Sequence, residues 1–157
     1  MVQSKIRIYL SACISNAPNN VFICSKFPSN KFIFDLPQEI TPKELNHENF
    51  PLEVFQQCIT MMEASDIGLL LLDSYGRDCA WEIGWFCGQA RPTFAYVETE
   101  SQWLGDSMVK GGVTAIITNN PAIYDLLLKD PATKTKSYLI PSKKDLGALI
   151  KKIYYEK

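Results

Sequence analysis

Apolar and polar positions along this 157-residue chain switch repeatedly between a period of two and a period near 3.6. Residues 5 to 12 (KIRIYLSA) crowd β-branched and aromatic side chains together and predict a first strand. Residues 16 to 28 suit either a short helix, with Asn16 as N-cap and Pro18 in the first turn, or a second strand. KFIFDLP (31 to 37) predicts a strand closed by Pro37, and the polar residues 38 to 51 predict a long loop. In residues 52 to 65, Val54, Phe55, Cys58, Ile59 and Met62 fall on one helical face. DIGLLLLD (66 to 73) is short and continuously apolar, the pattern of a strand buried on both faces.

CAWEIGWFCGQA (79 to 90) predicts a helix with Ala80, Ile83, Gly84 and Cys87 facing inward. Residues 93 to 98 and 113 to 119 predict strands, and Pro121 after Asn120 opens another helix. Residues 136 to 141 are an optional last strand. The closing helix carries Leu146, Leu149, Ile150, Ile153 and Tyr154 as a stripe, with Ser142 and Asp145 as a capping box. Strands alternating with helices predict one α/β domain over residues 1 to 157, with a parallel sheet covered on both faces. Ligands of such sheets bind beyond the carboxyl ends of the strands. DSYGRDCAWEIGWFCGQ (73 to 89) lies at such an end, and residues 9 to 13 lie at another.

Charge narrows the function classes. Sixteen basic and seventeen acidic residues nearly cancel, so no pull toward nucleic acid or a membrane surface is expected. The longest apolar run is too short for a bilayer, and the start does not read as a signal peptide, so a cytoplasmic protein is expected. Five cysteines, at 13, 24, 58, 79 and 87, form no C-x-x-C pair, which argues against a disulfide framework or a metal site. The single histidine, His47, sits in a polar stretch. Carboxylates are therefore the expected working groups, with no cofactor.

Glu82 is expected in the first turn of its helix, where the dipole and free N–H groups favour an ionised carboxylate suited to nucleophilic attack. Asp78 is either a second working carboxylate or a plain N-cap. Trp81 and Trp85, four apart, either wall a pocket for a planar base or simply pack.

Four segments carry a family likeness. IYLSA, MMEASDIGLLLLD, CAWEIGWFCGQARPTFAYV and GDSMVKGG resemble, in that order, the opening strand, the helix and strand entering the site, the W-E helix with its following turn, and the intersubunit segment of the nucleoside 2-deoxyribosyltransferase family, which includes deoxynucleoside 5′-monophosphate N-glycosidases. The resemblance implies a flavodoxin-like (Rossmann-like) three-layer fold with a mostly parallel five-stranded sheet. It implies a homo-oligomer with shared active sites, and chemistry at C1′ of a 2-deoxynucleoside with a purine or pyrimidine base. Glu82 falls on the nucleophile position and would form a deoxyribosyl ester resolved with net retention. Tyr9 would orient Glu82, while Asp106 and Met108 fall on positions given to the neighbouring subunit's site.

Two departures from the family pattern concern base recognition and leaving-group protonation. Cys58 stands where the family usually has an acid, and Gly76 stands where it often has an aspartate, leaving Asp78 or Asp73 to take over. Asp106 stands where monophosphate hydrolases of the family tend to have a serine, and a carboxylate there would repel a phosphate. Arg77 and Lys110 are the only basic candidates near the site, so an unphosphorylated nucleoside is favoured. The expected function is deoxyribosyl transfer between bases. The alternatives are hydrolysis of a deoxynucleoside or its monophosphate, and a ligand-binding protein that has lost turnover.

Overall fold

Six parallel strands form one sheet in the order β2-β1-β3-β4-β5-β6. The computed structural model describes residues 4 to 40 and 50 to 156. The strands are β1 (Ile6–Ser11), β2 (Phe32–Asp35), β3 (Ile67–Leu71), β4 (Thr93–Val97), β5 (Ala115–Thr118) and β6 (Ser137–Leu139). Among the described residues the sheet is thus entirely parallel and has one strand more than the expected five. The extra strand is the optional segment near residue 138, which pairs with β5 from Ile116↔Ser137 to Thr118↔Leu139.

The helices are α1 (Ala17–Cys24), α2 (Phe50–Ala64), α3 (Arg77–Gly88), α4 (Ser107–Gly112), α5 (Pro121–Lys129) and α6 (Leu146–Tyr155). Side chains alternate across a strand, so each strand feeds two cores. On one face, Ile6, Ile8 and Leu10 of β1 join Ile23 of α1 and Leu146 and Ile150 of α6. On the other, Leu70, Ala95, Val97 and Ile116 meet Cys79 and Ile83 of α3, Val109 of α4, and Ile123 and Leu127 of α5. A smaller cluster on this second face joins Tyr9 of β1, Met62 of α2 and Phe86 of α3. The chain is therefore a three-layer α/β sandwich. The continuous burial of β3, Ile67 to Leu71, follows from its place between β1 and β4 under helices on both faces.

The open choice over residues 16 to 28 resolves as a helix, with Pro18 in its first turn. Asn16 occupies the N-cap position, but its side chain accepts no hydrogen bond from the helix N–H groups; its amide donates to Ser74 Oγ at 2.5 Å. Asn120 does cap α5, accepting from Ala122 N at 3.0 Å. Ser142 and Asp145 form the expected box, one short 3-10 turn ahead of α6. Helix α2 begins at Phe50, inside the predicted loop, and His47 lies outside the described residues. No helix among the described residues is long and apolar enough to cross a membrane.

The phase of α3 differs from the expected stripe. Cys79, Glu82, Ile83 and Phe86 face inward, whereas Ala80, Gly84 and Cys87 are exposed. Gly68 in β3 explains part of this. A Cβ there would sit 3.1 Å from the Phe86 ring, so the missing side chain makes room for that ring against the sheet. The C-terminus of α2 is fixed by Arg91, whose Nη1 donates to the carbonyls of Met62, Glu63 and Ser65 at 2.7–2.9 Å.

Candidate active site

The carboxyl ends of β1 and β3 meet the start of α3, and two strand side chains converge there on one helix carboxylate. Tyr9 and Ser11 are two residues apart on β1 and therefore share a face. Tyr9 Oη donates to Glu82 Oε1 at 2.5 Å, and Ser11 Oγ donates to Glu82 Oε2 at 2.6 Å. Glu82 is only 8% exposed, Ser11 2%, and Tyr9 fully buried. The loops around the group are stitched together by Cys13 N donating to Ser74 O at 2.5 Å, by the Asn16–Ser74 contact, and by Asn20 Nδ2 donating to Cys13 O at 3.1 Å.

Glu82 lies in the second turn of α3, not the first, because the helix starts at Arg77. The dipole effect is confined largely to the first turn, so it is not what holds this carboxylate. Burial dominates and pushes the Glu82 carboxyl above its ordinary range. The hydrogen bonds from Ser11 and Tyr9 oppose that shift, and Asp78 adds to it. The expectation of an acid kept ionised by the helix start is corrected accordingly: what favours the charged form here is the pair of hydroxyl donors, and they offset only part of the cost of burial. Tyr9's own phenol is pushed up, by burial first and then by the Glu82 charge.

Cys58, half-buried on α2, stands against Tyr9. Burial raises its thiol, so it stays protonated at neutral pH. Cys79 stands against Ser11 on the other side and is pushed up to about 11 by burial.

The remaining predicted residues are dispersed. Gly76, not Asp78, occupies the N-cap of α3, and Asp78 is exposed in the first turn. Asp73 accepts from Glu98 N at 2.7 Å, from Thr99 N at 2.9 Å and from the Thr99 hydroxyl, so it ties the end of β3 to the loop after β4. Asp106 is the N-cap of α4, its Oδ1 accepting from Met108 N and Val109 N at 2.8 and 2.9 Å. Trp81 is 49% exposed and packs edge-on against Phe55 at 5.5 Å. Trp85 instead packs edge-on against Phe86 at 5.1 Å. Met108 is 74% exposed. Lys110 pairs with Asp130 and leaves the set of free cations near the site.

Sequence reading missed Ser11, since a serine in a strand carries no pattern of its own. It also missed Tyr75 and Trp103, whose rings lie 4.3 Å apart and tilted by 31°. Tyr75 is electrostatically coupled to Cys79, Asp106 and Glu82, and burial is the largest cause that pushes its phenol up to about 12. A groove of about 480 Å³ lies elsewhere, along α6 and the start of β2, lined by Lys31, Lys144, Lys151, Lys152 and Tyr155 among others. Glu82 does not line it, and the hydroxyl–carboxylate cluster lies apart from it.

A family model for nucleoside 2-deoxyribosyltransferases matches residues 15 to 131, most of the chain. The chain belongs to the nucleoside 2-deoxyribosyltransferase family. The matched range includes Cys58, Glu82 and Asp106, while Tyr9 and Ser11 precede it. Two solved structures are similar to this member of the family. One is a 2-deoxyribosyltransferase from the psychrotolerant bacterium Bacillus psychrosaccharolyticus, with a TM-score of 0.54 and 17% identity over 70% of this chain and 84% of that one. The other is a conserved protein from Enterococcus faecalis V583, with a TM-score of 0.57 and 17% identity over 96% of this chain and 99% of that one. At that identity the likeness concerns the fold. A search of curated proteins found no match.

Proposed function

We propose that the protein cleaves the N-glycosidic bond of 2′-deoxynucleosides and transfers the sugar to a second base. The observation that carries this is a buried glutamate with a hydroxyl donor on each oxygen. A nucleophilic carboxylate must be ionised and fixed in direction, and hydrogen bonds to its charged form favour the first against burial and supply the second. In the first half-reaction a Glu82 oxygen bonds to C1′ and the C1′–N bond breaks. The base leaves with the electron pair and takes a proton from solvent. In the second, a ring nitrogen of another base bonds to C1′, the ester bond breaks, the pair returns to Glu82, and the incoming base gives up its N–H proton to solvent. Each step inverts C1′, so the product keeps the starting configuration.

The missing acid on α2 weakens protonation of the departing base. A protonated Cys58 thiol stands there, and this favours substrates whose bases leave without strong acid assistance. The pairing of Lys110 with Asp130 supports a nucleoside lacking a 5′-phosphate, since Arg77 is then the remaining basic candidate named from the sequence.

The test is chromatography of purified protein with each deoxynucleoside, with and without a second free base. A new deoxynucleoside is the expected product. Free base released without exchange would replace transfer with hydrolysis. Neither product, from nucleosides or from their 5′-monophosphates, would leave a binding protein without turnover.

The same reading has the site completed by a second copy of the chain. The exposed apolar side chains of Phe55, Trp81 and Met108 support it, because water-exposed surface of this kind gains from being covered. The active species is expected to sediment as a dimer or larger assembly. Full activity in a monomeric fraction would remove this part of the reading.

A further inference from the structure

We propose that Ser11 is a positioning residue whose hydroxyl speeds breakdown of the Glu82 ester more than its formation. The inference rests on Glu82 being the nucleophile. Its geometric basis is the clamp itself. Ser11 Oγ is 2.6 Å from Oε2 and Tyr9 Oη is 2.5 Å from Oε1, so each carboxylate oxygen has one donor. A hydroxyl carries a single proton, and here both protons are committed to Glu82. Both donors stand on β1, which is paired on either side with β2 and β3. That rigid support keeps the donors aimed while the carboxylate changes charge.

The two half-reactions place opposite demands on this clamp. When Glu82 bonds to C1′, its negative charge is spent in forming the ester, and the base departs with the C1′–N pair and a proton from solvent. Hydrogen bonds to the carboxylate weaken along this step, so they stabilise its ground state. When water or a ring nitrogen bonds to C1′, the ester C1′–O bond breaks, the pair returns to Glu82, and a proton is released to solvent. Charge now grows on the carboxylate and the Ser11 hydrogen bond strengthens. Interactions that tighten toward the transition state accelerate the step. Removing the hydroxyl therefore leaves a more basic carboxylate that forms the ester readily and gives it up slowly.

The test compares wild type with Ser11→Ala and Ser11→Thr, with circular dichroism to verify folding. Glu82 is followed by carbon NMR titration without substrate, and enzyme quenched during turnover is weighed by mass spectrometry. In Ser11→Ala the Glu82 carboxyl is expected to titrate at higher pH. Its kcat should fall about 10- to 100-fold, the loss typical of one hydrogen bond to a charged group. KM should fall with kcat, and a larger fraction of the enzyme should carry deoxyribose. Ser11→Thr should restore both readouts. If Ser11→Ala does not fold, Ser11→Cys, of similar size and with a weaker donor, takes its place. An unchanged Glu82 titration, or a lower kcat without adduct accumulation, would overturn the proposal. No adduct on wild type or any variant, with the titration shift intact, would overturn the nucleophile reading and the rate claim together. The hold of Ser11 on the carboxylate would then still stand.

Discussion

Replacing Glu82 by glutamine is expected to abolish turnover while leaving the protein folded and less sensitive to rising pH. Loss of the nucleophile should lower kcat by roughly a thousandfold or more, which corresponds to about 4 kcal/mol of barrier. The effect on stability follows from linkage. Burial holds the folded Glu82 carboxyl above its ordinary range, so the folded state keeps a proton that the unfolded chain has released. The stability tied to this proton is fully present below the ordinary carboxyl range. It is lost as pH rises through the folded value. Glutamine has the same shape and no proton to lose, and the Tyr9 and Ser11 hydroxyls can turn to meet its amide. The decline in stability above the ordinary carboxyl range should therefore flatten in Glu82→Gln. Urea unfolding of both proteins between pH 4 and 8, beside the product assay, checks this. Turnover in Glu82→Gln would sink the mechanism. An equally steep decline in both proteins would show that another group carries it.

Phe86→Ala should cost more stability than any surface change and should reach the site as well. The ring is 1% exposed, lies 5.9 Å from the Tyr9 ring and 5.1 Å from the Trp85 ring, and fills the space left by Gly68. Emptying such a position costs about 3–5 kcal/mol, or roughly 10 °C in Tm for a chain of this size. Tyr9 would lose the wall that fixes its ring, and its hydroxyl would hold Glu82 less firmly. The control is Phe94→Ala. Phe94 is equally buried, but its side chain joins the core on the opposite face of the sheet. Both variants should lose similar stability, and Phe86→Ala alone should lose turnover when assayed well below its Tm, by about tenfold if one hydrogen bond to the carboxylate is weakened. Equal activities in the two folded variants would show that Phe86 serves packing only.

The placement of Glu82 at the cleft end of the sheet was legible because it rests on local pattern. A six-residue apolar run, a turn and a helix start follow one another closely, and that order alone puts the segment at a strand's carboxyl end. The balance between burial and hydrogen bonding that sets its proton affinity was not legible. It depends on where the helix begins to the residue, and on hydroxyls that lie 73 and 71 positions away in the chain. The inward stripe of α3 was displaced for a related reason. Ala80, Gly84 and Cys87 count as apolar in a periodic pattern, yet they are small, and the large Phe86 finds its space over Gly68 in another element. Asp73 and Asp106 were legible as carboxylates near the site. Only their backbone partners, Glu98 and Thr99 for one and Met108 and Val109 for the other, assign them to holding loops and a helix start.

By itself, then, the sequence determined the alternation of buried strands and amphipathic helices, the parallel α/β class, and the residues that stand where its strands end. Periodicity records these features within a few residues of each other. The tertiary structure alone decided the sixth strand, the phase of α3, and the pairing of Tyr9 and Ser11 with the two oxygens of Glu82. Those outcomes depend on how distant elements pack, and a difference of one residue in phase or an ångström in approach is set by the fit of side chains across the core.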